Sequence, residues 1–229
     1  MNLNDCEVMR LFPTTVLITK LGLSDKEKIQ IKKLIENEPD AGAGHRREVS
    51  NEVKMSKDIK LLNRKKYKFL RDKIFTYLDV YKNEVFKFEK TKLAVTNSWM
   101  AKSEPGDESV WHNHTGALFS CVYYVTAPEN SGRIAFSGFS TKIFQPHPKD
   151  PTVNTVDNSD IWNFTPEDDM ILFFPASAYH KIETNRSNKT RYSIACNFMP
   201  YGLCGQGDSV INIDNNFDVS KKRYDEEMK

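Results

Sequence analysis

The chain has 229 residues, of which 39% are apolar and 11% aromatic, and it carries 33 Lys+Arg against 31 Asp+Glu. A chain this long buries roughly 70% of its unfolded surface, so it needs neither metal nor disulfide merely to fold, and its many rings exclude disorder. The net charge of +2 excludes a global field for DNA or for a membrane surface.

The first twelve residues, MNLNDCEVMRLF, lack the charged-then-apolar pattern of a secretion signal. No apolar run reaches the roughly 18 residues of a membrane span. The stretch Met9–Ile18 reads as an opening strand. Ser24 stands three residues before Glu27, a capping box ahead of the helix KIQIKKLIENE. Pro39 and the run DAGAG end that helix and start a loop that holds His45, an exposed histidine with no assigned role. From Ser56 to about Tyr81, apolar residues recur at helical spacing (Ile59, Leu62, Leu70, Ile74, Leu78, Tyr81), which predicts a second helix. Its basic residues Arg64, Lys65, Lys66 and Lys68 read as a solvated face, with an anionic partner as the alternative.

After about Lys87 the pattern becomes β. KLAVTNSWMA, ALFSCVYYVT, RIAFSGF, MILFFP and RYSIACNFMP follow one another, separated by turn-rich stretches. Such spacing predicts a barrel, sandwich or jelly roll with the two N-terminal helices packed on one face. The expectation is one domain over 1–229: a strand and supporting helices over 1–87, a β core over 88–205 and a C-terminal extension over 206–229 that ends in the charged tail SKKRYDEEMK. The stretch 138–168 has the length of a lid and contains His147 between two prolines, an exposed histidine. Cys6, Cys121, Cys196 and Cys204 form no CxxC pair, and the two in apolar strands read as free buried thiols. The expected compartment is therefore a reducing cytoplasm.

The chemistry concentrates in a few residues. His112 and His114 form a His-x-His pair just before the strand ALFSCVYYV. On an extended chain, i and i+2 point to one face, so the spacing sets two imidazoles side by side. Two exposed histidines in a polar turn are the plain alternative. His180 ends the apolar segment MILFFPASAY, and a strand-end histidine there completes a three-imidazole set suited to Fe(II), Mn, Ni, Cu or Zn. Arg191 and Ser193 share a strand face. A guanidinium inside an apolar barrel is costly unless it meets an anion, and its planar fork fits a carboxylate. That carboxylate is either a ligand's or an Asp or Glu of this chain. Asn197 shares the face and is a candidate pocket donor. Of Tyr123 and Tyr124, one is placed to reach a ligand while the other faces outward, and packing is the alternative for both. Trp99 and Trp111 are candidates for a substrate mouth or for core.

Taken together, Lys102-Ser-Glu-Pro-Gly-Asp, His112-x-His114, Phe119-Ser-Cys-Val-Tyr-Tyr-Val125, Ser131-Gly132 to Phe136, Phe174-Pro175 to His180 and Arg191-Tyr-Ser-Ile-Ala-Cys-Asn-Phe198 resemble the Fe(II)/2-oxoglutarate-dependent oxygenases. The likeness is to a prolyl-hydroxylase-like subfamily of marine bacteria and phages. It covers about residues 97–198, with a looser match at Leu11-Phe12-Pro13. The resemblance implies a double-stranded β-helix (jelly roll) holding Fe(II), with 2-oxoglutarate as co-substrate, O2 as oxidant and ascorbate as an auxiliary. It maps His112 and His180 onto two metal ligands and Arg191 with Ser193 onto the co-substrate site; Tyr123 and Asn197, read from their strand positions, are the further co-substrate candidates. The activity implied is a hydroxylase of a peptidyl, prolyl or small-molecule substrate that couples decarboxylation to succinate with C–H oxidation. Its partners are that substrate and O2, with no nucleic acid or membrane, and a homodimer is admitted. For a phage protein the place would be the host cytoplasm.

One position departs from the family pattern. The usual facial triad carries a carboxylate two residues after the first histidine. His114 stands there and is taken as the third ligand, with Asp107 or Glu108 as the alternative source of an anion. Two other functions compete: a cupin-like three-histidine metalloenzyme that does not use 2-oxoglutarate, and an inactive barrel that serves as a binding module.

Overall fold

The computed structural model describes residues 12–43, 51–138 and 155–215. Cys6, Met9-Arg-Leu11, His45, His147, residues 139–154 of the 138–168 stretch and the charged tail lie outside the described residues. In chain order the elements are β1 (Leu17–Lys20), α1 (Asp25–Glu36), β2 (Asp40–Ala43), β3 (Lys54–Ser56), α2 (Lys68–Val80), β4 (Lys92–Ser103), β5 (Phe119–Thr126), β6 (Ile134–Ser137), β7 (Ile161–Phe164), β8 (Met170–Pro175), β9 (Tyr179–Ile182), β10 (Arg191–Cys204) and β11 (Ile211–Ile213).

Local chemistry sets these boundaries. The Ser24 hydroxyl accepts from the Glu27 amide while the Glu27 carboxylate accepts from the Ser24 amide, so α1 starts on the expected capping box. The second helix starts at Lys68, twelve residues later than its periodicity predicts. Pairing with β4 takes the intervening segment. Ser98 donates its amide to Ile59 (2.8 Å) and its hydroxyl accepts from the Leu62 amide (2.8 Å), so apolar spacing there serves a strand-edge docking. The DAGAG run, expected as loop, contributes β2, which pairs with β3 at the sheet edge.

The strands form two sheets. The larger runs β1-β8-β5-β10-β4-β3-β2, with β11 paired to β10, and the smaller runs β7-β6-β9. Reciprocal backbone bonds between His112 and His180, each 2.9 Å, and a Ser109-to-Ile182 amide bond of 3.0 Å add a further short segment beside β9. The two antiparallel layers are those of a double-stranded β-helix.

Strand alternation divides the side chains between two cores. From β5, Phe119, Cys121, Tyr123 and Val125 pack against α1 and α2 with Ile31, Leu70, Ile74 and Leu78. Val122 and Tyr124 point the other way, between the sheets, where they meet Ile134, Phe136, Leu172 and Phe174. Strands buried on both faces read as continuous apolar runs, and FSCVYYV and MILFF have that form. The helices are thus a cover over the outer face of the large sheet, as expected.

The basic run of α2's approach is partly answered within the chain. Buried Glu38 accepts from Arg64, from Lys66 (3.3 Å) and from the Tyr67 hydroxyl (3.1 Å). Among the described residues no helix is long and apolar enough to cross a membrane.

Candidate active site

The two ends of the small sheet bring together what the sequence separates. His112 lies on the segment beside β9, and His180 is on β9 itself. His114 is fixed by its amide, which donates to the Ala176 carbonyl (2.8 Å). One nitrogen from each of the three rings lies within 4.8 Å of the others. His180 is buried, and the other two are partly exposed.

The ring orientations are set by the backbone. His112 Nδ1 is 2.9 Å from the Val110 carbonyl, and His180 Nδ1 is 2.8 Å from the Ala178 carbonyl. A carbonyl can only accept, so each Nδ1 carries the proton and each Nε2 is the basic nitrogen, the tautomer a metal ligand requires. Phe174 (4.9 Å) and Phe136 (5.8 Å) pack on the His180 ring, and Trp99 lies 5.7 Å from His114.

Between the sheets is a cavity lined by the three histidines and by Trp99, Tyr124 and Ser193. Arg191 sits beneath its surface at 1% exposure, 5.9 Å from the centre of the Tyr124 ring. Its Nη1 donates to the carbonyls of Ser131 (2.9 Å) and Gly132 (2.8 Å). Among the described residues its Nε and Nη2 have no hydrogen-bond partner, nor do Ser193 Oγ, Tyr124 OH, Ser103 Oγ and Ser131 Oγ. Among the described residues no carboxylate lies within ion-pair distance of Arg191, so none of them supplies its structural partner. Buried polar groups are almost always satisfied, and six orphans in one place describe a site built for a ligand with several acceptor oxygens. Burial lowers the Arg191 pKa from its ordinary value, a further sign of a cation without its anion. Burial also pushes the Tyr124 hydroxyl up to about 12 against the opposing pull of Arg191, so it stays a neutral donor.

Two expected site residues are placed elsewhere. Tyr123 faces the helices and donates to Asp169 (3.2 Å), which corrects its assignment to the co-substrate site; strand alternation gives that position to Tyr124. Asn197 does share a face with Arg191 and Ser193, but six residues of strand separate it from Arg191 by roughly 20 Å, too far to share one carboxylate. Asn197 Oδ1 accepts instead from Ser120 (2.8 Å). Neither alternative carboxylate joins the triad. Asp107 caps the Glu104 amide (2.9 Å) and lies 3.8 Å from Lys54, and Glu108 accepts from Thr184 (2.8 Å). Trp111 turns outward and stacks on Tyr179 (5.7 Å) beneath Lys181. The Ser131 and Gly132 carbonyls that hold Arg191 have no sequence signal as acceptors, although the Ser-Gly pair belongs to the resemblance. The Ser103 orphan becomes visible only through its register opposite Arg191.

A double-stranded β-helix with three converging imidazoles and a buried, unanswered arginine defines the class of mononuclear-metal oxygenases that take a dicarboxylate co-substrate. Residues 97–197 match the family described as "Putative 2OG-Fe(II) oxygenase". The matched residues, less than half of the chain, carry a 2OG-Fe(II) oxygenase domain, and the protein is an oxygenase enzyme with Fe(II) and 2-oxoglutarate as its cofactors. The match favours the oxygenase over the cupin-like and binding-module alternatives. No curated protein matches. Solved structures share the fold at low identity. HygX from Streptomyces hygroscopicus, with nickel and 2-oxoglutarate bound, superposes with TM-score 0.58 at 11% identity over 88% of this chain and 93% of its own. A prolyl hydroxylase from Trichoplax adhaerens, in complex with a hypoxia inducible factor peptide fragment, gives 0.57 at 14% over 80% and 83%. A Pseudomonas putida prolyl-4-hydroxylase gives 0.55 at 11% over 80% and 92%.

Proposed function

We propose that His112, His114 and His180 hold Fe(II) and that Arg191, Ser193 and Tyr124 bind the distal carboxylate of 2-oxoglutarate. The observation that carries this reading is the group of unpartnered donors on Arg191, Ser193 and Tyr124 within one barrel with the triad. A planar fork with two open donors, Nε and Nη2, matches two carboxylate oxygens. The Ser131 and Gly132 carbonyls hold the third nitrogen and so aim the fork. Bound together, the metal and the keto acid would let O2 serve as the oxidant for C–H hydroxylation, with one oxygen atom going to the substrate and the other into succinate as CO2 leaves. The chain's own residues fix the ligand geometry, orient the co-substrate and exclude water through the apolar wall of Ile134, Phe136 and Phe174.

The substrate in this reading is a peptidyl residue, proline included, or a small molecule that enters past Trp99. The prolyl hydroxylases among the structural relatives support the peptide arm. The thiols of Cys121, Cys196 and Cys204, all unbridged, support a reducing cytoplasm.

The test is anaerobic visible absorption of the apoprotein titrated with Fe(II) and then with 2-oxoglutarate. A weak visible band that needs both additions is expected. Metal binding with no response to 2-oxoglutarate would overturn the co-substrate assignment. Succinate release with proline-containing peptides against free amino acids then separates the two substrate arms.

A further inference from the structure

Cross-strand register sets out the inner face of the large sheet in rows. Met55 on β3 stands opposite Ala101 on β4, Ala101 opposite Ser193 on β10, and Ser193 opposite Tyr124 on β5. Two residues along, Trp99 stands opposite Ala195, and Ala195 opposite Val122. Opposed residues on antiparallel strands share a face, and every member of both rows lines the cavity. The first row therefore runs from two proposed co-substrate residues to Met55, and Trp99 stands on the same side, its ring centre 5.7 Å from that of His114.

The stretch that carries Met55 closes this side of the cavity. Val53 donates its amide to the Glu108 carbonyl and the Glu108 amide donates to the Asn51 carbonyl, each at 3.1 Å. Lys54 and Met55 pair instead with β4. Six residues, 51–56, thus reach from the large sheet to the segment that leads into His112, and Val53 and Met55 both line the cavity.

The wall so formed has little to offer a charge. Among the described residues that line the cavity, the histidines aside, no side chain is charged. Tyr124 and Ser193 belong to the proposed co-substrate site, and the Ser109 hydroxyl already accepts from the Ile182 amide (2.8 Å). An ammonium or carboxylate set against this wall loses hydration that the Val53 and Met55 side chains do not replace. A hydrocarbon group gains by the same transfer.

Given the proposed metal and co-substrate site, we infer that the substrate presents an uncharged hydrocarbon group, a side chain or ring whose polar attachments stay outside the cavity, and that Trp99 and Met55 select it. Trp99 supplies a rigid apolar face, and the unbranched thioether of Met55 adapts to the shape laid against it.

The experiment uses the full chain, anaerobic, loaded with Co(II) and 2-oxoglutarate, and follows the visible cobalt bands as amide probes are added. The N-acetyl N-methylamides of proline and leucine are the hydrocarbon probes, and those of lysine and aspartate are the charged ones. The hydrocarbon pair is expected to bind at least about tenfold more tightly than the charged pair. Trp99→Ala should weaken the hydrocarbon probes by about tenfold while leaving 2-oxoglutarate affinity within about threefold. Met55→Glu should reverse the order in favour of the lysine probe. Should either variant fail to fold by circular dichroism, Met55→Gln, which keeps the length of the side chain, should narrow the hydrocarbon preference by at least about threefold. Charged probes as tight as the hydrocarbon ones, no probe binding to the loaded wild type, or affinities unmoved in the folded variants would overturn the inference while the oxygenase site stands. Failure of the wild type to take up Co(II) or 2-oxoglutarate defeats the site reading itself, and this inference with it.

Discussion

His112 and His180 hold each other in register through two backbone hydrogen bonds of 2.9 Å, and their rings lie 4.3 Å apart at the centroids. Residues distant in sequence thereby become one chelating edge, with each ring turned by a carbonyl two residues back on its own strand. Replacing either ring by Ala should raise the Fe(II) dissociation constant by at least about 100-fold, more than the loss typical of an outer-shell change. The backbone bonds do not involve the rings, so the fold should persist for His112→Ala. Metal titration with circular dichroism as a control checks both halves.

Arg191→Ala should weaken 2-oxoglutarate binding by roughly 30-fold or more while leaving metal affinity within about threefold, because it removes a charge-assisted contact. Arg191→Lys should not restore it, since a point charge cannot replace the fork. Tyr124→Phe removes one donor and should cost about five- to tenfold. Calorimetry with 2-oxoglutarate on the metal-loaded protein reads all three. Equal loss of metal and co-substrate in Arg191→Ala would mark a structural arginine instead.

Gly132 supplies one of the carbonyls that aim Arg191, and it has φ +87°. A Cβ there would stand 2.1 Å from the Glu183 carbonyl oxygen. The turn tolerates no side chain, so Gly132→Ala should destabilise by roughly 2–4 kcal/mol. It should also weaken 2-oxoglutarate binding by shifting the guanidinium. Thermal unfolding and calorimetry on the same preparation test the two effects.

How much of this was readable in the chain depends on where the information lies. Alternation and apolar runs placed β4, β5, β8 and β10, and the Ser24 box placed α1, because local rules govern those segments. The helix from Ser56 failed where Ser98 captures residues 59–62, a tertiary override of periodicity. Strand β7, Ile161–Phe164, was hidden in a turn-rich stretch and owes its form to pairing with β6. The His112-x-His114 pair and the shared face of Arg191 and Ser193 were legible because each is a short-range pattern, whereas the meeting of that pair with His180 comes from the strand pairing. The choice between Tyr123 and Tyr124 was not, since a strand buried on both faces gives no polarity by which to tell them apart. Asn197 had the right face and the wrong end, because parity is a local property and the distance along a strand to a ligand is not.

Glu38 predicts a pH dependence. Burial works against its charge, yet hydrogen bonds from Arg64, Lys66 and Tyr67 hold its carboxyl below the ordinary value of 4.5. A carboxylate with a lowered folded-state pKa binds protons less readily than in the unfolded chain. Its contribution is therefore complete above about pH 4.5 and is lost as pH falls through the lowered value. Glu38→Gln should cost roughly 1–3 kcal/mol at neutral pH, and its deficit in Tm should shrink below pH 4.5 as the wild type loses the same interaction. A deficit that stays constant into acid would assign the effect to packing.

His114→Asp tests the third ligand. The substitution restores a carboxylate at the position two residues after His112, and an anionic oxygen donor suits Fe(II) at least as well as a third imidazole. The Ala176 bond to residue 114 uses the backbone amide and survives the change. Fe(II) affinity should therefore hold or improve, by up to about tenfold, while preference for softer ions such as Cu(II) falls. Competition between Fe(II) and Cu(II) monitored by visible absorption measures both. A folded His114→Asp protein that binds no metal would mean that His114 acts through its ring against Trp99 and not as a ligand.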